Sequence, residues 1–167
     1  MKNLFILALI LISGNIFAQK IIETEEFRAL DSNLGADIEV VPSSDYHLEI
    51  SGNPEAFENF SYKISRHSLE LRSKYEGVDF SKVSIKIFVP DIEAIRMSNG
   101  GKLTMDEGFS PMKNFVISVE NNATADLSNI EFRNLVVNAE ESTDVKYKSA
   151  KNLVSSSGEG RQVIISH

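Results

Sequence analysis

Carboxylates recur at similar positions along the second half of the chain, and they are the strongest candidates for chemistry. They lie in or beside short turns, at Glu120, Asp126, Glu140, Glu141, Asp144 and Glu159. If these turns stack, the carboxylates converge and offer oxygen ligands to Ca²⁺, which takes about six to eight of them. The chain has no Asp-rich calcium consensus, so the sequence favours a solvated acidic surface that discourages pairing between strand edges.

No other residues have a spacing that supports catalysis. The histidines His47, His67 and His167 share no metal-ligand spacing. The run SSSGEG from Ser155 lacks the GxSxG nucleophile elbow, and Gly100-Gly101-Lys102 lacks the pattern of a phosphate loop. The chain contains no cysteine, which excludes thiol chemistry, disulfides and a lipobox.

The sequence therefore identifies no catalytic, cofactor-binding or metal-ligating residue, and it implies no cofactor. We expect a protein that is not an enzyme. The catalytic alternative is a carbohydrate-active enzyme with two carboxylates facing each other across a groove.

Residues 1–18 are predicted to form a cleaved signal peptide. Lys2 precedes an apolar run from Leu4 to Ile12, and Ala18 suits the cleavage site. Nine apolar residues are too few for a bilayer, which needs about 20. The mature chain, 19–167, is predicted to be one exported domain in the periplasm or at the cell surface, with no transmembrane segment.

The charge of the mature chain excludes one class of partner. The formal net charge is −7 for the whole sequence, and loss of Lys2 with the signal peptide leaves −8. Nucleic acid is excluded as a partner because phosphate binding requires clustered Lys and Arg.

Alternating apolar and polar residues predict β-strands in the first half of the mature chain, 19–90. A short helix is predicted to begin at Asn53-Pro54-Glu55, with Phe57 and Phe60 on its buried side. The predicted strands are Asp37–Val41, Tyr46–Ser51, Phe60–Ser65, Ser68–Ser73 and Val83–Val89, with a tight turn at Arg66-His67.

The second half, 91–167, repeats with a period of about twenty residues. Its apolar anchors are Ile95, Phe115, Leu135 and Leu153, spaced 20, 20 and 18 apart, and a basic residue and Asn precede the last three. A second short strand follows each anchor strand, at Lys102–Met105, Ala123–Leu127, Asp144–Tyr147 and Gln162–Ile165.

This pattern predicts an all-β fold: a β-helix or solenoid-like stack of short strands with repeats of about 20 residues, preceded by antiparallel strands and at most one short helix. Stacking is expected to place Ile95 beside Phe115, Leu135 and Leu153, and Met97 beside Ile117, Val137 and Ser155. Each column would exclude water along the axis of the stack, which stabilises a chain that has no disulfides.

The order of these features resembles the head GIN domain family of auto-transporter adhesins, found in exported Bacteroidetes proteins. The residues that carry the resemblance are FRAL at Phe27, GADIEV at Gly35, LEISGN at Leu48, SLEL at Ser68 and VSIKIFVP at Val83. The resemblance covers essentially the whole mature chain. It implies an all-β fold of β-helix character, a location in the cell envelope and no known chemistry. The turns here are more acidic and less Gly-rich than is usual in the family.

Two non-catalytic functions follow from these observations. The first is a cell-envelope or surface protein, an adhesin-like module that binds glycan or protein. The alternative is a structural protein that self-associates as a homo-oligomer in the periplasm or outer membrane. A surface cluster of Tyr46, Tyr62, Tyr75 and Phe80 would favour binding, whereas a flat apolar patch would favour self-association. The lack of Trp weakens any proposal of sugar stacking.

Overall fold

The structure, a computed structural model, describes residues 18–157, which form twelve strands and one short helix. The strands are β1 Ala18–Glu23, β2 Ala29–Ser32, β3 Asp37–Pro42, β4 His47–Gly52, β5 Phe60–Ser65, β6 Ser68–Ser73, β7 Ser84–Val89, β8 Ala94–Met97, β9 Lys102–Met105, β10 Met112–Val119, β11 Thr124–Ala139 and β12 Asp144–Ser157; the helix is α1 Pro54–Asn59. The all-β prediction with one short helix is confirmed. The predicted antiparallel arrangement of the first half holds only in part, because β3 pairs with β7 and β2 with β6 in parallel. Residues 1–17 of the predicted signal peptide and the predicted strand Gln162–Ile165 lie outside the described residues, whereas Ala18 begins β1.

Local sequence signals account for the helix and the first hairpin. The side chain of Asn53 accepts a hydrogen bond from the backbone N–H of Glu55 at 3.0 Å, so it caps α1 as predicted. Ala56 is the buried residue of α1, while Phe57 is half-buried and Phe60 begins β5. Arg66 and His67 both have positive φ, at 51° and 61°, which confirms the predicted tight turn between β5 and β6.

The strands form one mixed sheet that curls into a half-barrel, in the order β1-β4-β7-β3-β9-β11-β10-β8-β2-β6-β5. The long strand β11 is the corner of this sheet. Residues 124–126 pair with β9, whereas most of 132–139 pairs with β10. The sheet therefore has two walls, which we call wall A (β7, β3, β9 and the start of β11) and wall B (β6, β2, β8, β10 and the rest of β11). Strand β12 follows β11 along both walls.

Parallel pairing aligns apolar side chains into columns that face the inside of the half-barrel. In wall B one column contains Leu69, Leu30, Ile95, Ile117 and Val137, all at most 2% exposed. Wall A contributes a matching column of Ile85, Ile38, Leu103, Ala125 and Val145. Since a buried branched side chain contributes roughly 1.5–3 kcal/mol, these columns stabilise the fold without disulfides.

The predicted solenoid with twenty-residue repeats is not confirmed. Phe115 does pair with Leu135, and Leu135 with Leu153, as the anchor spacing predicted. However, Ile95 pairs with Ile117 rather than with Phe115, so the register between β8 and β10 differs by two residues from the prediction.

The same correction applies to the second predicted column, because Met97 pairs with Val119 and not with Ile117. The physical reason is that Phe115 lies beyond the start of β8 and packs on the ring of Phe132, with centroids 5.3 Å apart. In addition, β2 lies between β6 and β8, so strands adjacent in the sheet are not adjacent in the sequence.

The turns that connect the two walls also stack on each other. The N–H of Gly100 donates to the carbonyl of Asn121 at 2.8 Å, and the N–H of Thr124 donates to the carbonyl of Gly101 at 3.1 Å. Gly101 has a φ of +78°, and a Cβ there would overlap the carbonyl oxygen of Ala36 in the next turn. Glycine is therefore required at this position both for its backbone conformation and for the close approach of two turns.

We expect Gly101→Ala to lower the free energy of unfolding by more than Gly100→Ala does. Both positions have φ near +80°, but an added Cβ at Gly100 has no atom within 4 Å. Gly100→Ala should therefore cost only the conformational strain, about 1–2 kcal/mol. Urea denaturation measures the free energy of unfolding of both variants, and the difference between them is the cost of the overlap between the new Cβ and Ala36. Equal decreases in the two variants would contradict the stacking of the turns.

Candidate functional site

The outward surfaces of the two walls differ in chemistry. Wall A presents charged side chains, among them the ion pair of Lys86 and Glu39, whose Nζ and Oε2 atoms are 2.8 Å apart. Wall B also carries charge on β6, β2 and β8, including the ion pair of Arg72 and Asp31. Where β10, β11 and β12 run side by side, however, it presents Asn, Val and Ser. A charged surface is well solvated, whereas an uncharged strip of amide, hydroxyl and apolar groups is easier to desolvate on contact with a partner.

We call this strip the Asn/Val face. It contains nine outward-pointing residues, three from each strand, which are Asn114, Val116 and Ser118 of β10, Asn134, Val136 and Asn138 of β11, and Asn152, Val154 and Ser156 of β12. Each residue pairs with its equivalent on the next strand, so the face consists of a central column of valine between two columns of polar residues.

The outer polar column is a ladder of asparagine amides. The Nδ2 of Asn134 donates to the Oδ1 of Asn114 at 2.7 Å, and the Nδ2 of Asn152 donates to the Oδ1 of Asn134 at 2.8 Å. These bonds run in one direction, so the middle amide, Asn134, both donates and accepts, while Asn114 accepts and Asn152 donates, and the ladder orients all three side chains. The ladder therefore presents aligned amides at the spacing of the strands, about 4.8 Å.

The second polar column joins amide and hydroxyl groups. The Nδ2 of Asn138 donates to the Oγ of Ser118 at 3.2 Å, and the Oγ of Ser156 donates to the Oδ1 of Asn138 at 2.6 Å. With the asparagine ladder it fixes the side chains on both sides of the valine column. The face is consequently ordered before any partner binds, which lowers the entropic cost of association.

The valine column is accessible to a partner. Val116 is 38% exposed and Val154 is 62% exposed, both high values for apolar side chains in a sheet. The column continues onto β8, where Ala94 pairs with Val116. The apolar surface here is therefore a single row of side chains flanked by polar ladders.

Charge is confined to the rim of the Asn/Val face. Arg96 on β8 makes two hydrogen bonds to the carboxylate of Glu120, at 3.1 and 2.8 Å. These hydrogen bonds raise the pKa of Arg96 above its ordinary value, so the guanidinium stays charged. Because Arg96 and Glu120 neutralise each other, the edge of the face carries little net charge.

A groove of about 790 Å³ adjoins the start of the face. It is formed by the segment before β8 and by the loop between β9 and β10, and it shares Asn114 and Val116 with the Asn/Val face. Its other side chains include Phe109, Lys113 and Glu93, so both apolar and charged groups line it. The groove extends the contact surface from the flat sheet into a concave edge.

The acidic turn residues considered as a calcium site do not converge within residues 18–157. Glu120 is bound to Arg96, and the Oε2 of Glu140 accepts a hydrogen bond from the N–H of Asn121 at 2.8 Å. Asp144 lies 3.8 Å from the Nζ of Lys146. Glu141 is exposed in the turn with Glu140, whereas Glu159 lies outside the described residues. Within residues 18–157 there is no group of three or more His, Asp or Glu that could hold a metal ion.

The histidines and the aromatic residues also lie apart from one another. His47 stacks on Phe88, with centroids 4.1 Å apart, and His67 lies in the hairpin turn; His167 falls outside the described residues. The four aromatic residues named from the sequence form no single surface cluster, since Tyr46 packs edge-on against Phe27, Tyr62 packs on Phe60, Tyr75 is 69% exposed and Phe80 is buried.

The sequence pattern identifies the three asparagines of the ladder but does not indicate that their side chains bond to each other. Asn114, Asn134 and Asn152 were noted because each precedes an anchor residue. The signal for the face was the alternation after each anchor, in which Val116, Val136 and Val154 fall on outward positions. Because apolar residues occupy both inward and outward positions of these strands, the alternation alone does not show that the valine column is exposed.

The fold and the site define a class of protein: an all-β domain with a regular, preorganised outward face. The family model described as "putative auto-transporter adhesin, head GIN domain" matches residues 26–162, and the chain belongs to this family. No curated protein matches the chain.

Three solved structures share the fold. A putative adhesin from Parabacteroides merdae is 20% identical with a TM-score of 0.69, covering 82% of this chain and 58% of its own. A putative adhesin from Bacteroides fragilis is 18% identical with a TM-score of 0.69, covering 85% and 74%. A putative lipid binding protein from Parabacteroides distasonis is 15% identical with a TM-score of 0.65, covering 85% and 61%.

This chain therefore spans a little over half the length of the P. merdae protein. Among residues 18–157, no helix is long and apolar enough to cross a membrane.

Asp126, one of the acidic turn residues, has a hydrogen-bond partner that gives a testable pH dependence. Hydrogen bonds from the hydroxyl and the N–H of Ser128 lower the pKa of Asp126 below its ordinary value of 3.8. A lowered pKa stabilises the fold above the pKa of the unfolded state, and the contribution is lost as pH falls through the folded value. We expect Ser128→Ala to raise the pKa of Asp126 in a carboxyl NMR titration.

The same substitution should lower stability at neutral pH, and the difference from wild type should shrink as the pH falls below the folded pKa of Asp126. A stability difference that is independent of pH would show that Ser128 acts by packing alone. Ser110→Ala is a suitable control, because Ser110 is also an exposed serine but lies in the loop between β9 and β10, away from Asp126 in the sequence.

Proposed function

We propose that this chain is a non-catalytic, exported, adhesin-like binding module and that the Asn/Val face is its contact surface. The observation that carries the proposal is the register of β10, β11 and β12, which aligns valine with valine and polar residue with polar residue across three strands. Membership of the head GIN family supports an adhesin-like role. The groove beside β8 extends the same surface.

The geometry of the face favours an extended, uncharged partner. The hydrogen-bonding groups repeat at the strand spacing of about 4.8 Å, so a polymer lying across the strands meets equivalent groups several times. Amides and hydroxyls exchange hydrogen bonds with sugar hydroxyls or with peptide groups, and the valines cover apolar patches between them. A glycan chain and an extended protein segment both satisfy these requirements.

Many weak contacts, rather than one deep pocket, would supply the affinity. A flat face buries each partner group only partly, so each contact contributes little. Adhesion at a cell surface tolerates this because several copies engage a polymer at once, and linked contacts raise the effective concentration.

Binding should depend on the valine column. We expect Val116→Lys to weaken binding to a responsive probe by roughly tenfold or more, which corresponds to about 1.4 kcal/mol. The reason is that the ammonium group must be desolvated when a partner covers the centre of the face. Binding is measured by biolayer interferometry against purified neutral polysaccharides, extracellular-matrix proteins and phospholipid vesicles, the last because one structural neighbour is described as lipid binding.

The matched control is Ser84→Lys, which adds the same charge at an exposed position on β7 in wall A. It should leave binding unchanged. If both variants lose affinity equally, the effect is one of overall charge and the Asn/Val face is not the contact surface. If no probe of any class binds wild-type protein more tightly than Val116→Lys, the proposed function is wrong.

The proposal includes an exported domain, with residues 1–18 as the signal peptide and residues 19–167 as the mature domain. N-terminal sequencing of the protein made in a Bacteroidetes host should therefore begin at Gln19. Proteinase treatment of intact cells, with lysed cells for comparison, then reports the location. Loss of the protein from intact cells supports a surface adhesin, whereas loss from lysed cells alone contradicts the adhesin role and favours a periplasmic one.

A further inference from the structure

Residues 152–156 of strand β12 form an exposed edge of the sheet in the part of the chain that the structure describes. Strand β12 pairs with β11 on one side and with no other strand among residues 18–157. Edge strands in monomeric proteins are normally protected by charge, by Pro or by a bulge. The first eight residues of β12 include the charged Asp144, Lys146, Lys148 and Lys151, but the run from Asn152 to Ser156 contains no charged residue and no proline.

The inside of the half-barrel is also exposed at this edge. Phe115 and Leu135 are each 1% exposed, but Leu153, the next residue in the same inward column, is 39% exposed. On the opposite side of the strand Val154 is 62% exposed. Both surfaces of β12 therefore have apolar side chains that another strand would cover.

We infer that β12 pairs with β12 of a second copy of this chain, in antiparallel orientation about a two-fold axis through Val154. Such an axis, perpendicular to the sheet, keeps the inward surfaces of both copies on the same side. The two half-barrels then share one continuous interior, and Leu153 of each copy is covered by the partner strand.

The arrangement of the Asn/Val face is self-complementary under this symmetry. With Val154 opposite its symmetry mate, Asn152 lies opposite Ser156, and this is the kind of amide and hydroxyl pair that Ser156 already makes with Asn138. A two-fold axis continues the all-asparagine column of one copy into the Ser118, Asn138 and Ser156 column of the other, and the junction is compatible because amide and hydroxyl groups pair with each other on this face. The valine column continues without interruption from one copy to the other.

A register centred on Leu153 lacks this complementarity, since it places Asn152 opposite Val154 and Lys151 opposite Ser155. In the observed sheet, like residues pair on this face, so the register about Val154 extends the existing pattern. The product is a dimer with two coplanar Asn/Val faces on the same side. The dimer does not require the proposed binding function, although it would double the surface available to an extended partner.

The first test is the oligomeric state of the full mature chain by analytical ultracentrifugation. We expect a dimer that becomes a monomer in Val154→Lys, because two facing ammonium groups would repel each other at the axis. Val116→Lys is the matched control, since it changes the same column on β10, away from the edge, and should remain dimeric. Wild-type association should strengthen with added salt because the mature copies are both negatively charged.

The second test uses the absence of cysteine from the chain. Opposite residues of an antiparallel pair lie about 4.5–5.5 Å apart between Cα atoms, within the range that a disulfide spans. Val154→Cys should therefore form a covalent dimer under mild oxidation, whereas Val116→Cys, roughly 24 Å from its mate across five strand spacings, should not.

A monomeric wild-type protein would overturn the inference and would show that another partner, or another part of this chain, covers β12. Equal crosslinking of the two cysteine variants would also overturn it. Neither result depends on the binding assays, so failure of the dimer and failure of the proposed function are separately recognised.

Discussion

The in-register parallel pairing of β10, β11 and β12 is the constraint on which the core, the outward face and the open edge all depend. Because side chains alternate across a strand, one register fixes both surfaces of the sheet at once. The register that places Ile117 beside Val137 in the core also places Val116 beside Val136 on the surface. A slip of one residue would expose the core column and bury the asparagine ladder, so packing of the interior enforces the order of the face.

The corner in β11 bends the paired strands into a half-barrel with two walls. Its two parts pair with different strands, and the register between β11 and β12 shifts between Leu127 and Glu131 where the chain turns. Stacked turns on the other side, with glycine at Gly101, hold the walls at close approach. The two outward surfaces consequently point in different directions, so the charged side chains of wall A lie apart from the uncharged Asn/Val face at the β10–β12 end of wall B.

The proposed binding and the proposed self-association use different residues of the same three strands, so both can occur together. A partner that lies across the Asn/Val face contacts the centre of the sheet at Val116 and Val136, whereas a second copy contacts its edge at Val154. The carboxylates of Glu120, Glu140 and Asp126 are engaged in ion pairs and hydrogen bonds that support the fold.

The sequence alone determined the strands, the capped helix, the hairpin turn and the family, because alternation, capping and turn residues are local properties. It also determined that Phe115, Leu135 and Leu153 align, since their spacing is regular. Only the tertiary structure decided that Ile95 pairs with Ile117, that β2 inserts between β6 and β8, and that the valines are exposed. These features depend on which distant strand completes each edge of the sheet, and a periodic pattern carries no information about that choice.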